Sequence, residues 1–290
     1  MSLSFCARCA SLSGHNVIAT IIPPTASSER TLRIVGALGA LLALVILGAS
    51  ILLRLTSVMG ADDVVRSSLT ADSETWLRLA HRLAAAGVGV LALLASGLGW
   101  MRRNSIPRAV TPIFWLVGAT VLLAVVGPLT PGYRYSMVTV TNVVTGTVLL
   151  AACWWLRETL TSSCAQRHSL SDPMLRLTFW ILAVHVGLGA AASALEMRGT
   201  HWMALVHSGS AMLTTLMVAS VLWDRRTNPS LTFLVGFLWA LLALQVVLGV
   251  VALGMEGRPV LLGFVHAMLS PLLIGGLVSL ALRGSVPPSR

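Results

Sequence analysis

The sequence has few charged residues and no lysine. Charged residues make up 10% of its 290 positions, whereas hydrophobic residues make up 56% and the mean hydropathy is +0.85. A soluble globular domain carries about 25% charged residues. The composition therefore excludes a soluble protein of this size and predicts an all-α polytopic membrane protein.

Cysteine is also scarce. Two of the four cysteines, Cys6 and Cys9, form a CxxC motif near His15, which allows a metal clip or a redox pair. No other ligand type lies nearby, so we interpret this motif as a chance occurrence. The remaining two, Cys153 and Cys164, fall in or near one apolar segment, and no disulfide is predicted.

Apolar segments long enough to cross a membrane fill most of the chain. A spanning helix needs about 20 mostly apolar residues. Eight segments meet this requirement: 33–55, 76–100, 109–130, 136–156, 173–195, 202–223, 231–254 and 259–282. We expect two pseudo-symmetric four-helix bundles, residues 33–157 and 173–283. They are flanked by a disordered tail at 1–32, which lacks the features of a secretory signal, and a short tail at 284–290.

The net charge of +10 comes from arginines in short loops between the apolar segments. Alternate loops carry the arginines, and the loop after the first segment is acidic. This asymmetry indicates orientation rather than a nucleic-acid site. It predicts a multi-pass protein of the inner (plasma) membrane with both termini in the cytoplasm.

Three histidines lie at matching depth in the even-numbered segments. His81, His207 and His266 each lie about 7 to 12 Å inside the same membrane face, at about 1.5 Å per helical residue. The remaining even-numbered segment, segment four, has Asn142 at that level. An imidazole within a membrane segment is costly and by default indicates function. The alternative is a histidine satisfied by a neighbouring hydroxyl or carbonyl group.

The chemistry of the pair His207 and His266 favours a haem. Axial ligation of haem iron needs only two imidazoles, whereas zinc or copper sites need further ligands that the even segments do not supply at this depth. Small residues follow each histidine by one turn, which suits a flat macrocycle. Arginines near the same face would pair with the propionates: Arg54, Arg78, Arg82, Arg134 and Arg258.

Internal duplication accompanies these histidines. His185 in the fifth segment and Gln245 in the seventh each precede a glycine by four residues. Repeats of this kind occur in transporters, whose binding sites use helices broken by glycine or proline. These segments lack paired breaks of that type, so a transporter with histidine proton relays is the weaker interpretation.

The order of motifs resembles the haem A synthase family of terminal-oxidase assembly proteins. The resemblance covers residues 33–283 and is carried by LGASILLRLTS in the first segment, AHR in the second, LQVVLG in the seventh, and single histidines in the sixth and eighth. It implies oxidation of a methyl group of haem O to a formyl group. It also implies a haem B cofactor on His207 and His266, and substrate haem near His81. Haem O synthase, terminal oxidase subunits and a second copy of the chain are the implied partners.

The chain departs from the family at several positions. Asn142 stands where the family has its second histidine, and Arg78 stands where it has an acidic residue. Ser208 replaces an arginine, and the cysteine pair of the outer loop is absent. Glu74 lies on the same helical face as His81 and is our candidate for the missing acid. A haem-binding assembly factor or b-type electron carrier without the oxidation chemistry is the alternative function.

Overall fold

The computed structural model describes residues 24–58, 71–129, 136–161, 172–196, 202–255 and 259–283. Within these ranges the chain is helical, contains no strand, and has eight helices long and apolar enough to cross a membrane. They are α1 (Pro24–Val58), α2 (Ala71–Met101), α3 (Val110–Val126), α4 (Ser136–Thr161), α5 (Pro173–Glu196), α6 (Trp202–Arg225), α7 (Thr232–Gly254) and α8 (Val260–Arg283). The prediction of an all-α polytopic membrane protein with eight spans is confirmed.

Helix α1 begins earlier than the sequence indicated. Residues 24–32, which we assigned to a disordered tail, belong to the helix, and Leu32 is fully buried in the core. Proline is favourable at the first helical position, where a missing N–H costs nothing. Glu29 also accepts a hydrogen bond from Arg108, at 3.0 Å between Oε1 and Nη2. Polar residues in this segment therefore extend the helix instead of forming a loop.

Each half of the chain has its own hydrophobic core. In the first half α1 packs against α2 and α4, while α3 packs against α2 and α4. In the second half α5 packs against α6, and α7 packs against α6 and α8. Large apolar side chains on the outward faces, such as Phe114, Leu205 and Phe233, are exposed. Such surfaces are stable in lipid, where an apolar face costs nothing.

The two halves meet through the same pair of helices from each. Helix α4 packs against α5 and α8, and α1 packs against α8. Exchanging α1 with α5 and α4 with α8 reproduces these contacts, which describes a pseudo-two-fold arrangement. At this interface Trp154 donates a hydrogen bond from Nε1 to Ser279 Oγ at 2.7 Å, and its ring lies against Gly275.

A buried carboxylate joins the halves near the end of the bundle where α1 begins and α8 ends, which we call the terminal end. Glu158 in α4 is fully buried. Arg157 donates to its Oε1 at 2.6 Å, while Arg283 of α8 donates from Nε to Oε2 at 2.9 Å and from Nη2 to Oε1 at 3.1 Å. A buried charge is tolerated when it is paired and fully hydrogen-bonded. The sequence did not reveal this ion cluster.

We expect Glu158→Gln to lower the free energy of unfolding in detergent micelles by about 1.5 to 3 kcal/mol, because it removes charge-assisted hydrogen bonds to a buried group. The matched control is Glu74→Gln. It breaks the exposed ion pair with Arg78, which lies one helical turn further along α2. We expect the free energy of unfolding to fall by about 0.3 to 0.5 kcal/mol. Equal effects in the two variants would show that the Glu158 cluster does not hold α4 to α8.

Candidate functional site: three histidines near the distal end

His207 lies in the second turn of α6, near the end of the bundle opposite the terminal end, which we call the distal end. Its imidazole packs against α5, where Gly189 leaves the necessary space. A Cβ on that glycine would lie 2.9 Å from His207 Cε1 and 3.3 Å from Nδ1. The Nδ1 atom is buried and makes no hydrogen bond within the described part of the chain.

His266 occupies the corresponding position in α8. Its ring packs against Gly249 of α7, where a Cβ would lie 3.2 Å from Cε1 and 3.8 Å from Nδ1. Here too Nδ1 is buried and has no hydrogen-bond partner among the residues described. The two predicted ligands are therefore held alike, each against a glycine of the preceding helix.

His185 and Gln245, one turn before these glycines, each make a hydrogen bond to a serine of the next helix. His185 Nδ1 lies 2.9 Å from Ser210 Oγ, and Gln245 Nε2 donates to Ser270 Oγ at 3.0 Å. The sequence showed His185 and Gln245 only as a sign of duplication. In the structure they line the same polar layer as the predicted ligands.

The imidazoles of the second half form one cluster. The rings of His185 and His207 are stacked, with centroids 4.4 Å apart and planes inclined by 10°. His266 is close enough to interact electrostatically with both. The structure thus brings His207 and His266 together. In the described ranges no group of three or more His, Cys, Asp or Glu side chains converges on a point suited to a metal ion.

His81 in α2 contacts α1 in a similar way. Its Nδ1 lies 3.3 Å from the carbonyl oxygen of Ile46 and 3.3 Å from Ser50 Oγ. A carbonyl oxygen only accepts, so Nδ1 carries the proton and Nε2 keeps its lone pair. This is the tautomer of a metal-ligating histidine whose other nitrogen is fixed by a backbone carbonyl.

The remaining predicted site residues are more dispersed. Glu74 and Arg78 form an exposed ion pair with each other, at 3.0 Å from Nε to Oε1, and Arg82 is exposed. Asn142 is partly buried in α4, one turn before Gly146, which packs on Leu47. Arg134, Arg258 and the CxxC pair Cys6 and Cys9 lie outside the described residues.

The side chain of Arg54 is enclosed by the bundle although the residue lies near the end of its helix. A side chain at a membrane boundary usually extends to the lipid headgroups, yet that of Arg54 is only 7% exposed and lies inside the bundle. Arg54 therefore brings a positive charge within the protein near the distal end of α1. This position suits a residue that meets an anionic group bound inside the bundle.

The donor set fits a haem. Haem iron takes two neutral imidazoles, and His207 of α6 and His266 of α8 could supply them. The glycines beside them let each ring lie close to the neighbouring helix, where a side chain would displace it.

We expect Gly189→Ala to weaken haem binding about tenfold, as loss of a supporting contact at a metal ligand does, because the new Cβ displaces the His207 ring. Gly187→Ala is the control, since its Cβ would meet Val144 at 3.5 Å and Val140 at 3.9 Å, both ordinary distances. Haem content per purified protein, titrated with hemin, measures the effect. Identical haem content in the two variants would contradict the placement of His207 as a ligand.

The fold and the site define a polytopic all-α membrane protein in which, among the described residues, His81 of the first half and the cluster of His185, His207 and His266 in the second half lie towards the distal end. No protein-family model, curated protein or solved structure matches the chain.

Proposed function

We propose that the chain is a membrane oxidoreductase of the haem A synthase type, which oxidises a methyl group of haem O to a formyl group. The observation that supports it best is the matched setting of His207 of α6 and His266 of α8, each against a glycine. Together with the order of motifs along the chain, this setting favours haem over a bare metal ion.

Each half has a separate role in this proposal. His207 and His266 would hold a haem B in the second half, through which electrons would pass, and dioxygen would be the oxidant of the methyl group. In the first half His81 would present its Nε2 to the substrate haem, while Ile46 fixes its tautomer. Arg54 would offset the charge of a propionate. Gly48 of α1 lies against Phe264 of α8, two residues from His266, so the two proposed sites would adjoin across the α1–α8 interface.

The arginine pattern supports an orientation for this enzyme. Loops at the terminal end are rich in arginine, and positive loops favour the cytoplasmic side. The protein would lie in the plasma membrane with both termini in the cytoplasm. His81, His207 and His266 would then lie near the opposite face of the membrane. Haem O synthase and terminal oxidase subunits are the partners that such a reaction implies.

A second candidate is a haem-binding assembly factor or b-type electron carrier. The ion pair of Glu74 with Arg78 favours it, because a carboxylate engaged by a guanidinium is less available as an acid or base near His81. This function needs only the second-half site.

Extracting haems from cells that make haem O, with and without the chain, separates the two candidates. For the enzyme we expect haem A to appear only when the chain is present, and to disappear with His81→Ala. A haem-loaded protein in cells that accumulate no haem A would refute the oxidation reaction and leave the carrier.

A further inference from the structure

Ser210 fixes the hydrogen-bonding state of His185. The hydroxyl group of Ser210 donates to the carbonyl oxygen of His207 at 2.7 Å. A hydroxyl group has one proton, and this bond uses it. The contact between Ser210 Oγ and His185 Nδ1 at 2.9 Å must therefore be donated by His185. His185 is thus held with its proton on Nδ1.

This hydrogen bond holds the ring of His185 directly on His207. The two planes are nearly parallel, and His185 is only 6% exposed. Nδ1 of His207 is buried without a hydrogen-bond partner in the part of the chain described, and the backbone of His185 also interacts with the ring. The His207 ring is therefore restrained by α5, through the backbone and the stacked ring of His185 on one helical turn and through Gly189 on the next.

We propose that His185 is a positioning residue that sets the ring orientation of His207 by stacking, with Ser210 as its anchor. This inference rests on the proposed role of His207 as a haem ligand. His185 itself binds no iron, since a ring stacked parallel on a ligand does not point its nitrogens at the same centre.

The helix pair α7–α8 provides an internal comparison with the pair α5–α6. Gln245 holds the place of His185 and makes the same kind of bond, from Nε2 to Ser270 Oγ, but an amide offers no aromatic ring. The two ligands of one haem would therefore be restrained differently, His207 by a stacked ring and His266 without one. Substituting glutamine for His185 therefore makes the pair α5–α6 resemble the pair α7–α8.

The test compares His185→Gln with His185→Phe in the purified full-length protein. Glutamine keeps a hydrogen-bond donor for Ser210 and removes the stacked ring, whereas phenylalanine keeps the ring. For His185→Gln we expect haem to dissociate about tenfold faster, as for other supporting residues of metal ligands. We also expect the g-values of the low-spin haem in electron paramagnetic resonance to shift. For His185→Phe we expect both properties to stay close to those of the unmodified protein.

A further variant separates positioning from folding. Ser210→Ala removes the anchor but keeps the stacked ring, so, like His185→Phe, it should change both properties less than His185→Gln does. Thr214→Val, which alters a hydrogen bond to the Ser210 carbonyl one turn away, should shift neither property. Haem binding with unchanged dissociation and g-values in His185→Gln, or a larger effect in His185→Phe than in His185→Gln, overturns the positioning role alone. A parent protein that binds no haem overturns this role and the proposed function together.

Discussion

Replacing His207 by alanine is expected to remove the absorption of a six-coordinate low-spin haem from the purified protein. The reason is that the proposed haem has two axial imidazoles, and among the described residues of the second half the remaining histidine is His185. His185 cannot take over, because its ring is stacked parallel to that of His207 and anchored to Ser210. His266→Ala should have the same effect from the opposite helix.

The control for this prediction is Ser220→Ala in the same helix. Ser220 is exposed and bonds only to the carbonyl oxygen of Leu216 within α6, so its loss should leave the spectrum unchanged. Reduced-minus-oxidised difference spectra of equal amounts of protein give the comparison. An unaltered low-spin spectrum in both His207→Ala and His266→Ala would place the haem elsewhere in the chain.

Substituting leucine for Gly36 is expected to prevent the first half from packing. Helices α1 and α4 approach so closely there that a Cβ would lie 2.8 Å from the backbone nitrogen of Arg157 and 2.8 Å from the carbonyl oxygen of Cys153. Backbone atoms of a helix cannot rotate away as a side chain can, so the helices must separate. We expect a loss of about 3 kcal/mol or more, at the upper end for overpacked cores.

Gly89→Leu provides the matched control, because it lies in α2 of the same half and a Cβ there meets nothing within 4 Å. Size-exclusion chromatography and thermal unfolding in detergent would measure the yield of folded protein and its unfolding temperature for each variant. Equal yield and equal unfolding temperature would mean that the α1–α4 contact is looser than the structure describes.

The spans were predictable from sequence because a bilayer demands long apolar helices, and few other structures satisfy the backbone there. The depth of His81, His207 and His266 followed from the same argument, since helical rise converts residue number into distance. Sequence also revealed that His185 and Gln245 precede glycines by one turn. It did not reveal that Gly189 and Gly249 make room for the rings of His207 and His266, because that depends on which helix packs beside each glycine.

Contacts between distant helices were beyond such reasoning. Nothing in the sequence marks Glu158 as buried, yet Arg283, 125 residues away, reaches it from α8 and pairs with it. Arg54 read as a boundary residue, yet packing of the bundle encloses it. The stack of His185 on His207 is a third example. Each depends on side-chain positions that periodicity does not specify.

The most direct test of the central claim is the absorption spectrum of the purified, unmodified chain from cells with ample haem. The claim predicts bands of a low-spin haem, reducible by dithionite, and a pyridine haemochrome that identifies haem B. A colourless protein that stays colourless after titration with hemin would contradict the claim that His207 and His266 bind haem.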